Sequence, residues 1–186
     1  MTAPAANMSV WVGEKVVCFK IGGRANFTTS VDLKAAINHL CQKGHSRFVL
    51  DLTDCPLMDS TFLGVLSGIG LRFSTPRDGA PAAVLELHNP NARVSDLLEN
   101  LGIVHLFQVS DGPPVSVEHL VCVEQTPPSP DRKIITQTCL DAHRTLMGIN
   151  PANVPKFKDV AQFLAEDLKK LEAGEQEGRP RPNEAG

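Results

Sequence analysis

The sequence has little that would suit it to a membrane or to a nucleic acid. Its 18 Lys and Arg residues are outnumbered by 21 Asp and Glu residues, so a net charge of −3 provides no basic surface for a polyanion. Its apolar runs are strand-sized and interrupted by charge, and residues 1–10 have neither the basic nor the apolar region of a signal peptide. We therefore expect a cytoplasmic protein that binds neither nucleic acid nor a membrane.

The five cysteines also lack the pattern of a metal or disulfide framework. Their number is odd, none forms a C-x-x-C pair, and no histidine lies at a ligand-like spacing from them: Cys18, Cys41, Cys55, Cys122 and Cys139. We expect reduced thiols that behave as small apolar residues, with no metal and no cofactor.

The composition is that of a soluble globular protein, with 42% hydrophobic and 21% charged residues in 186. Two β-rich runs, residues 10–12 and 16–21, predict a hairpin around Gly13. Ser30 is the predicted N-cap of a helix that ends at Gly44, and residues 47–52 read as a buried strand.

Alternation of strands and helices continues from there. Asp59, Ser60 and Thr61 open a helix, because small polar residues there accept backbone N–H groups before an apolar stripe. A strand at residues 82–87, a helix at 91–100 and a strand at 106–109 follow. The order β-β-α-β-α-β-α-β predicts an α/β fold with a mixed, mostly parallel sheet.

A C-terminal helical extension is predicted after this domain, which spans residues 9–125. Residues 126–130 (TPPSP) predict a linker, residues 131–173 two amphipathic helices, and residues 174–186 a disordered tail. Asp131 caps the first helix, whose apolar stripe is Ile135, Cys139, Ala142 and Leu146. The second stripe is Phe157, Val160, Leu164, Leu168 and Leu171. These stripes need a surface to cover, which is their own domain, a second copy in a homodimer, or another protein.

The segment FVLDLTDCPLMDSTFLGVL, residues 48–66, resembles the signature of the STAS domain family. An apolar strand ends in Asp-Leu, a short loop leads to Asp59-Ser60, and a helix begins Ser/Thr-x-Leu-Gly. Residues 91–107 (NARVSDLLENLGIVHLF) resemble the family's penultimate helix and last strand. The resemblance covers about residues 9–125 and implies the STAS fold.

The resemblance also implies a function. Bacterial anti-sigma factor antagonists of this family are phosphorylated on the serine after that Asp, here Ser60, with Thr61 as second choice. The unphosphorylated protein binds an anti-sigma factor that is a serine kinase, phosphorylation breaks the complex, and a serine phosphatase restores it. Asp59, Ser60, Thr61 and Phe62 are the partner-binding residues that the resemblance implies.

Elementary physics is compatible with such a switch. A helix N-terminus has orphan N–H groups and the positive end of the macrodipole, so it tolerates a phosphate, which adds about −1.5 to −2 charge to the surface. Asp59 either adds to the repulsion or serves as the N-cap. Phe62 stands where the family pattern has Gly; it is either an interface anchor or a core residue.

Two other functions compete with the switch. A non-switched scaffold, a subunit of a signalling complex or of lipid-transport machinery, would use Ser60 only structurally. An enzyme is disfavoured, because the six histidines are scattered and have no motif that positions a nucleophile or phosphate: His39, His45, His88, His105, His119 and His143. We expect these histidines at the surface or in caps, and a Cys/His site built on Cys55 has no supporting spacing.

Overall fold

The computed structural model describes residues 7–75, 83–123 and 130–177 of the chain. The strands of these residues are β1 (Asn7–Val12), β2 (Val17–Gly22), β3 (Arg47–Asp51), β4 (Val84–His88), β5 (Gln108–Ser110) and β6 (Val121–Val123). The helices are α1 (Phe27–Gln42), α2 (Ser60–Ser74), α3 (Ala92–Leu101), α4 (Arg132–Ile149) and α5 (Val154–Glu177), with 3-10 turns at Val104–Leu106 and Pro151–Asn153.

All six of these strands belong to one mixed sheet of order β5-β4-β3-β2-β1-β6. Strands β2 to β5 run parallel to one another, and β1 lies between β2 and β6, antiparallel to both. The parallel strands step in one direction, so right-handed crossovers put α1, α2 and α3 on one face. The predicted α/β fold is confirmed, whereas β6 was not predicted.

The main core lies between that face and the helices. Strand residues of alternate positions point into it, among them Phe19 of β2 and Phe48 and Leu50 of β3, all fully buried. Leu33 of α1 and Leu66 of α2 meet them from the helices. This alternation is the pattern of a sheet with one face covered by helices.

Several predicted boundaries were wrong. Ser30 lies inside α1 and its hydroxyl donates to the carbonyl of Phe27 at 2.6 Å; the N-cap is Asn26, whose Oδ1 accepts from Thr28 and Thr29. The strand predicted at residues 106–109 begins only at Gln108, because a 3-10 turn precedes it. The strand predicted at 82–87 is Val84–His88, and Ala82 lies outside the described residues.

The C-terminal helices pack on the chain's own domain. Asp131 caps α4, and Ala142 and Leu146 of α4 join the main core. Of the predicted stripe, Ile135 and Cys139 are only half-buried, and on α5 Ala161 is buried while Val160 is exposed. α5 continues through Gly174 to Glu177, so the start of the predicted tail is helical. The predicted linker at 126–129 and residues 178–186 lie outside the described residues.

Candidate functional site

The loop between β3 and α2 is held by backbone hydrogen bonds to two neighbouring segments. Leu52 N–H donates to the carbonyl of His88 at 2.9 Å, which ties the loop to β4. Ala25, just before α1, donates to Leu57 at 2.9 Å and accepts from Asp59 at 3.0 Å. These bonds bring the N-termini of α1 and α2 side by side.

Asp59 is the N-cap of α2, and its carboxylate also accepts a hydrogen bond at the start of α1, beside the Asn26 cap. Its Oδ1 accepts from Phe62 N–H at 2.8 Å, inside α2, and its Oδ2 accepts from Phe27 N–H at 2.9 Å, the first residue of α1. Of the two roles predicted for Asp59, the N-cap is the one that the geometry shows. Its negative charge nevertheless remains beside Ser60.

The Ser60 hydroxyl is half-buried and contacts a histidine from the C-terminal extension. Ser60 Oγ lies 2.9 Å from His143 Nε2, and His143 Nδ1 lies 2.7 Å from the carbonyl oxygen of Cys139. Because a carbonyl oxygen only accepts, Nδ1 carries a proton; in the neutral imidazole Nε2 is then the acceptor and Ser60 the donor. The serine proton therefore points at an imidazole on α4.

His143 is itself buried. It is 5% exposed, and its ring centroid lies 5.2 Å from that of Phe157 on α5. His88 is also buried, with Nδ1 2.8 Å from Ser110 Oγ. The expectation that the histidines lie at the surface or in caps was wrong for these two.

Two other predicted site residues, Thr61 and Phe62, have buried side chains. Thr61 is 6% exposed, and its Oγ1 donates to Cys139 Sγ at 3.6 Å, so a kinase cannot reach it in this conformation. Phe62 is fully buried in the main core, which is the core alternative of its two predicted roles. Phe27, whose N–H donates to Asp59, is 42% exposed, and sequence reasoning did not single it out.

Helix α4 packs on the face of α2 that contains Ser60, the first residue of that helix. Ser60, Gly64 and Gly68 recur every four residues and share one face of α2. A Cβ atom on Gly64 would collide with the carbonyl of Ala142, whose carbon would lie 2.6 Å away, whereas one on Gly68 would meet only Thr145 at 4.0 Å. The backbones of α2 and α4 are therefore in direct contact next to Ser60.

The thiols near the site are protonated and shielded. Burial raises the pKa of Cys139, a hydrogen bond from Thr61 lowers it, and the charge of Asp59 raises it again. Burial likewise raises the pKa of Cys55, which is 1% exposed and donates to the carbonyl of Leu57 at 3.5 Å. A buried, protonated Cys55 is a poor nucleophile, which disfavours an acyl-transfer site there.

The described residues contain neither a candidate metal site nor a helix that could span a membrane. Within residues 7–75, 83–123 and 130–177, His, Cys, Asp and Glu side chains form no group of three that could hold a metal ion. In the same part of the chain, every helix is too short or too polar to cross a bilayer.

Comparison with known proteins gives one family match. The family model that describes the STAS domain matches residues 7–113 of this chain. No curated protein matches the chain.

Solved structures that are similar to this chain include proteins described as anti-sigma factor antagonists. The antagonist SpoIIAA in its unphosphorylated form is 17% identical, with 58% of this chain and 88% of that chain covered and a TM-score of 0.48. The Bacillus cell fate determinant SpoIIAA in its phosphorylated form is 17% identical, with 58% and 91% covered and a TM-score of 0.45. A putative anti-sigma factor antagonist from Thermotoga maritima is 22% identical, with 56% and 86% covered and a TM-score of 0.46.

Proposed function

The chain belongs to the STAS domain family, and on that premise we propose that it is a bacterial anti-sigma factor antagonist in the cytoplasm, a binding module and not an enzyme. Unphosphorylated, it binds an anti-sigma factor serine kinase; phosphorylation of Ser60 releases that partner, and a serine phosphatase restores binding. The observation that carries this proposal is the place of Ser60 as the first residue of α2, with a half-buried hydroxyl beside a negatively charged cap.

The helix terminus suits a reversible phosphate. The first N–H groups of an α-helix have no intrahelical acceptor, and the macrodipole favours negative charge there, so a phosphate on Ser60 leaves α2 folded. The same phosphate adds about −1.5 to −2 charge next to Asp59. This charge repels an acidic partner surface, and its desolvation opposes contact with an apolar one. A modification that spares the fold and alters the surface is what a switch requires.

Ser60 and His143 do not by themselves make a catalytic site. A hydroxyl that donates to an imidazole resembles an activated nucleophile. An acyl-transfer reaction also needs donors that stabilise an oxyanion, and the Asp59 carboxylate beside Ser60 would oppose that charge. We therefore assign the hydroxyl to regulation.

The first test is the mass of the protein purified from its own host, before and after phosphatase treatment. We expect a phosphatase-sensitive increase of one phosphoryl group, mapped by peptide mass spectrometry to Ser60 and absent from Ser60→Ala. A phosphate that maps elsewhere, or none under any growth condition, would refute the switch.

The second test is binding to the host's anti-sigma factor kinases. Ser60→Glu should weaken binding, while Ser116→Glu should not, because Ser116 is exposed in the segment that crosses the other side of the sheet. Equal binding by wild type and Ser60→Glu would favour the scaffold function, in a signalling complex or lipid-transport machinery. That second candidate is supported by the hydrogen bond between Ser60 and His143, which gives the hydroxyl a structural role.

A further inference from the structure

The helical cover, residues 132–177, closes the Ser60 site from within the same chain. His143 Nε2 is 2.9 Å from Ser60 Oγ, and Cys139 Sγ is 3.6 Å from the neighbouring Thr61 hydroxyl. A phosphoryl group on Ser60 has to occupy space next to Oγ, and on the α4 side the imidazole already fills that space. A kinase that approaches from this side meets α4 before it meets Ser60.

The contact between α2 and α4 leaves no room for a small adjustment. The Gly64 backbone touches the Ala142 carbonyl so closely that even a methyl group cannot enter. α4 therefore cannot tilt toward α2 to make room at Ser60. It can only move away from α2.

The cover has its own supports, separate from the sheet. Leu140 of α4 packs with Ala161 and Leu168 of α5 in a second apolar cluster. Arg132 of α4 bonds both carboxylate oxygens of Asp167 on α5, at 3.1 and 3.2 Å. α4 and α5 thus have contacts with each other that do not involve α2.

We propose that the helical cover is an intramolecular competitor for the Ser60 face of α2. The closed state seen here covers the α4 side of the half-buried Ser60 hydroxyl, and an open state, in which α4 leaves α2 while the sheet stays folded, exposes that side to kinase, phosphatase and anti-sigma partner. The functional meaning of this competition rests on the proposed function of Ser60; the opening itself does not.

A matched pair of α2 variants tests the opening. Gly64→Ala places a methyl group against Ala142, whereas Gly68→Ala, one turn along the same face, meets only Thr145 at 4.0 Å. Both changes raise helix propensity in α2 equally, so they differ in the collision with α4. His143→Ala is a third variant, which removes the bond to Ser60 without a collision.

The readout is thiol alkylation under native conditions, quantified for each cysteine by peptide mass spectrometry. Cys139 lies in the contact, Cys122 is exposed and serves as the reference, and Cys18 and Cys55 are buried in the domain and report its unfolding. The variant Ser60→Cys, alone and combined with each glycine change, measures access at position 60 without any kinase.

We expect Gly64→Ala to speed alkylation of Cys139 and of the thiol in Ser60→Cys by about tenfold or more. Overpacking destabilises the closed state relative to the open state, and the open fraction rises by about that factor. His143→Ala should act in the same direction, Gly68→Ala should stay within about twofold of wild type, and Cys18 and Cys55 should remain protected. Unchanged Cys139 in both Gly64→Ala and His143→Ala, or Cys18 that reacts in step with Cys139, would overturn the proposal. Absence of phosphate on Ser60 in the host would instead refute the proposed function, whichever way the alkylation result falls.

Discussion

Asp59 holds the Ser60 corner together because one carboxylate serves two helices. Asp59→Asn keeps one acceptor oxygen for Phe62 N–H but turns an amide group toward Phe27 N–H, where two donors then face each other. We expect this change to lower the free energy of unfolding by about 1 kcal/mol, and Asp59→Ala by about 2 kcal/mol, since both hydrogen bonds of the carboxylate are then lost. Urea denaturation measures both values.

The matched control is Asp54→Ala, in the same loop. Asp54 is exposed and only its carbonyl accepts a hydrogen bond, from Gly23, so its side chain should change stability by less than about 0.5 kcal/mol. If Asp59→Ala behaved like Asp54→Ala, the two hydrogen bonds of the Asp59 carboxylate would not contribute to stability.

Local residue chemistry made some of these positions predictable. The caps at Asp59 and Asp131 follow from a short polar side chain before an apolar stripe, and the structure has both. Ser30 satisfies the same pattern but lies inside α1, because Asn26 already supplies the cap and Ser30 bonds back to Phe27. The burial of Phe62 was not predictable, since a ring at the start of a helix suits either a core or an interface.

The junction between α3 and the C-terminal helices depends on one buried amide. Asn153, fully buried in the turn between α4 and α5, donates to the carbonyls of Leu101 at 2.9 Å and Leu146 at 3.0 Å. We expect Asn153→Ala to lower the free energy of unfolding by about 1–3 kcal/mol, because the Leu101 carbonyl loses its donor and the Leu146 carbonyl keeps only the N–H of Asn150 at 3.3 Å. Asn153→Asp should lower it further, since a carboxylate there would face two carbonyl oxygens.

Thermal or urea denaturation measures the free energies of unfolding of Asn153→Ala and Asn153→Asp. The control is Gln162→Ala, on the exposed side of α5. The Gln162 amide bonds only Glu166, so its loss should change stability by less than about 0.5 kcal/mol. An Asn153→Asp variant as stable as wild type would show that the amide does not join α3 to the C-terminal helices.

At the scale of elements, the sequence predicted what local periodicity carries and missed what depends on distant contacts. The first eight elements follow from period and turn residues, and the structure has them in that order. β6 is only three residues long and exposed at each, so it has no alternating pattern to detect. The packing of α4 on α2 depends on Gly64 and Ala142, which are far apart in sequence. His143 lies four residues after Cys139, so the helical period puts it on the face of the predicted stripe.

The whole molecule closes both faces of its sheet by different means. Helices cover one face, and the strap, residues 111–120, crosses the other from β5 at one edge to β6 at the opposite edge. Val115 N–H in the strap donates to Asp51 Oδ2 at 3.3 Å, and the carbonyl of Pro113 lies 2.9 Å from His88 Nε2. The polar side chains of Asp51 and His88, on the face that has no helix, are thereby bonded to the strap.

Cys18 lies on that second face, between Trp11 of β1 and Val49 of β3, and is fully buried. Burial, with a smaller contribution from Asp51 and an opposing one from Lys20, raises the pKa of Cys18 from 9.0 to about 11. The folded state therefore holds the thiol proton more tightly than the unfolded state. Its stabilising effect is complete below pH 9.0 and is lost as pH rises toward 11.

Comparison with Cys18→Ala isolates this effect, since the other titrating groups are common to both proteins. We expect the free energy of unfolding of wild type, relative to Cys18→Ala, to fall by about 1 kcal/mol between about pH 8 and about pH 10, measured by urea denaturation with a reductant present. A difference that stayed constant over this interval would mean that the thiol exchanges its proton equally well in both states. The second face would then be open to water at Cys18, and the strap would not seal it.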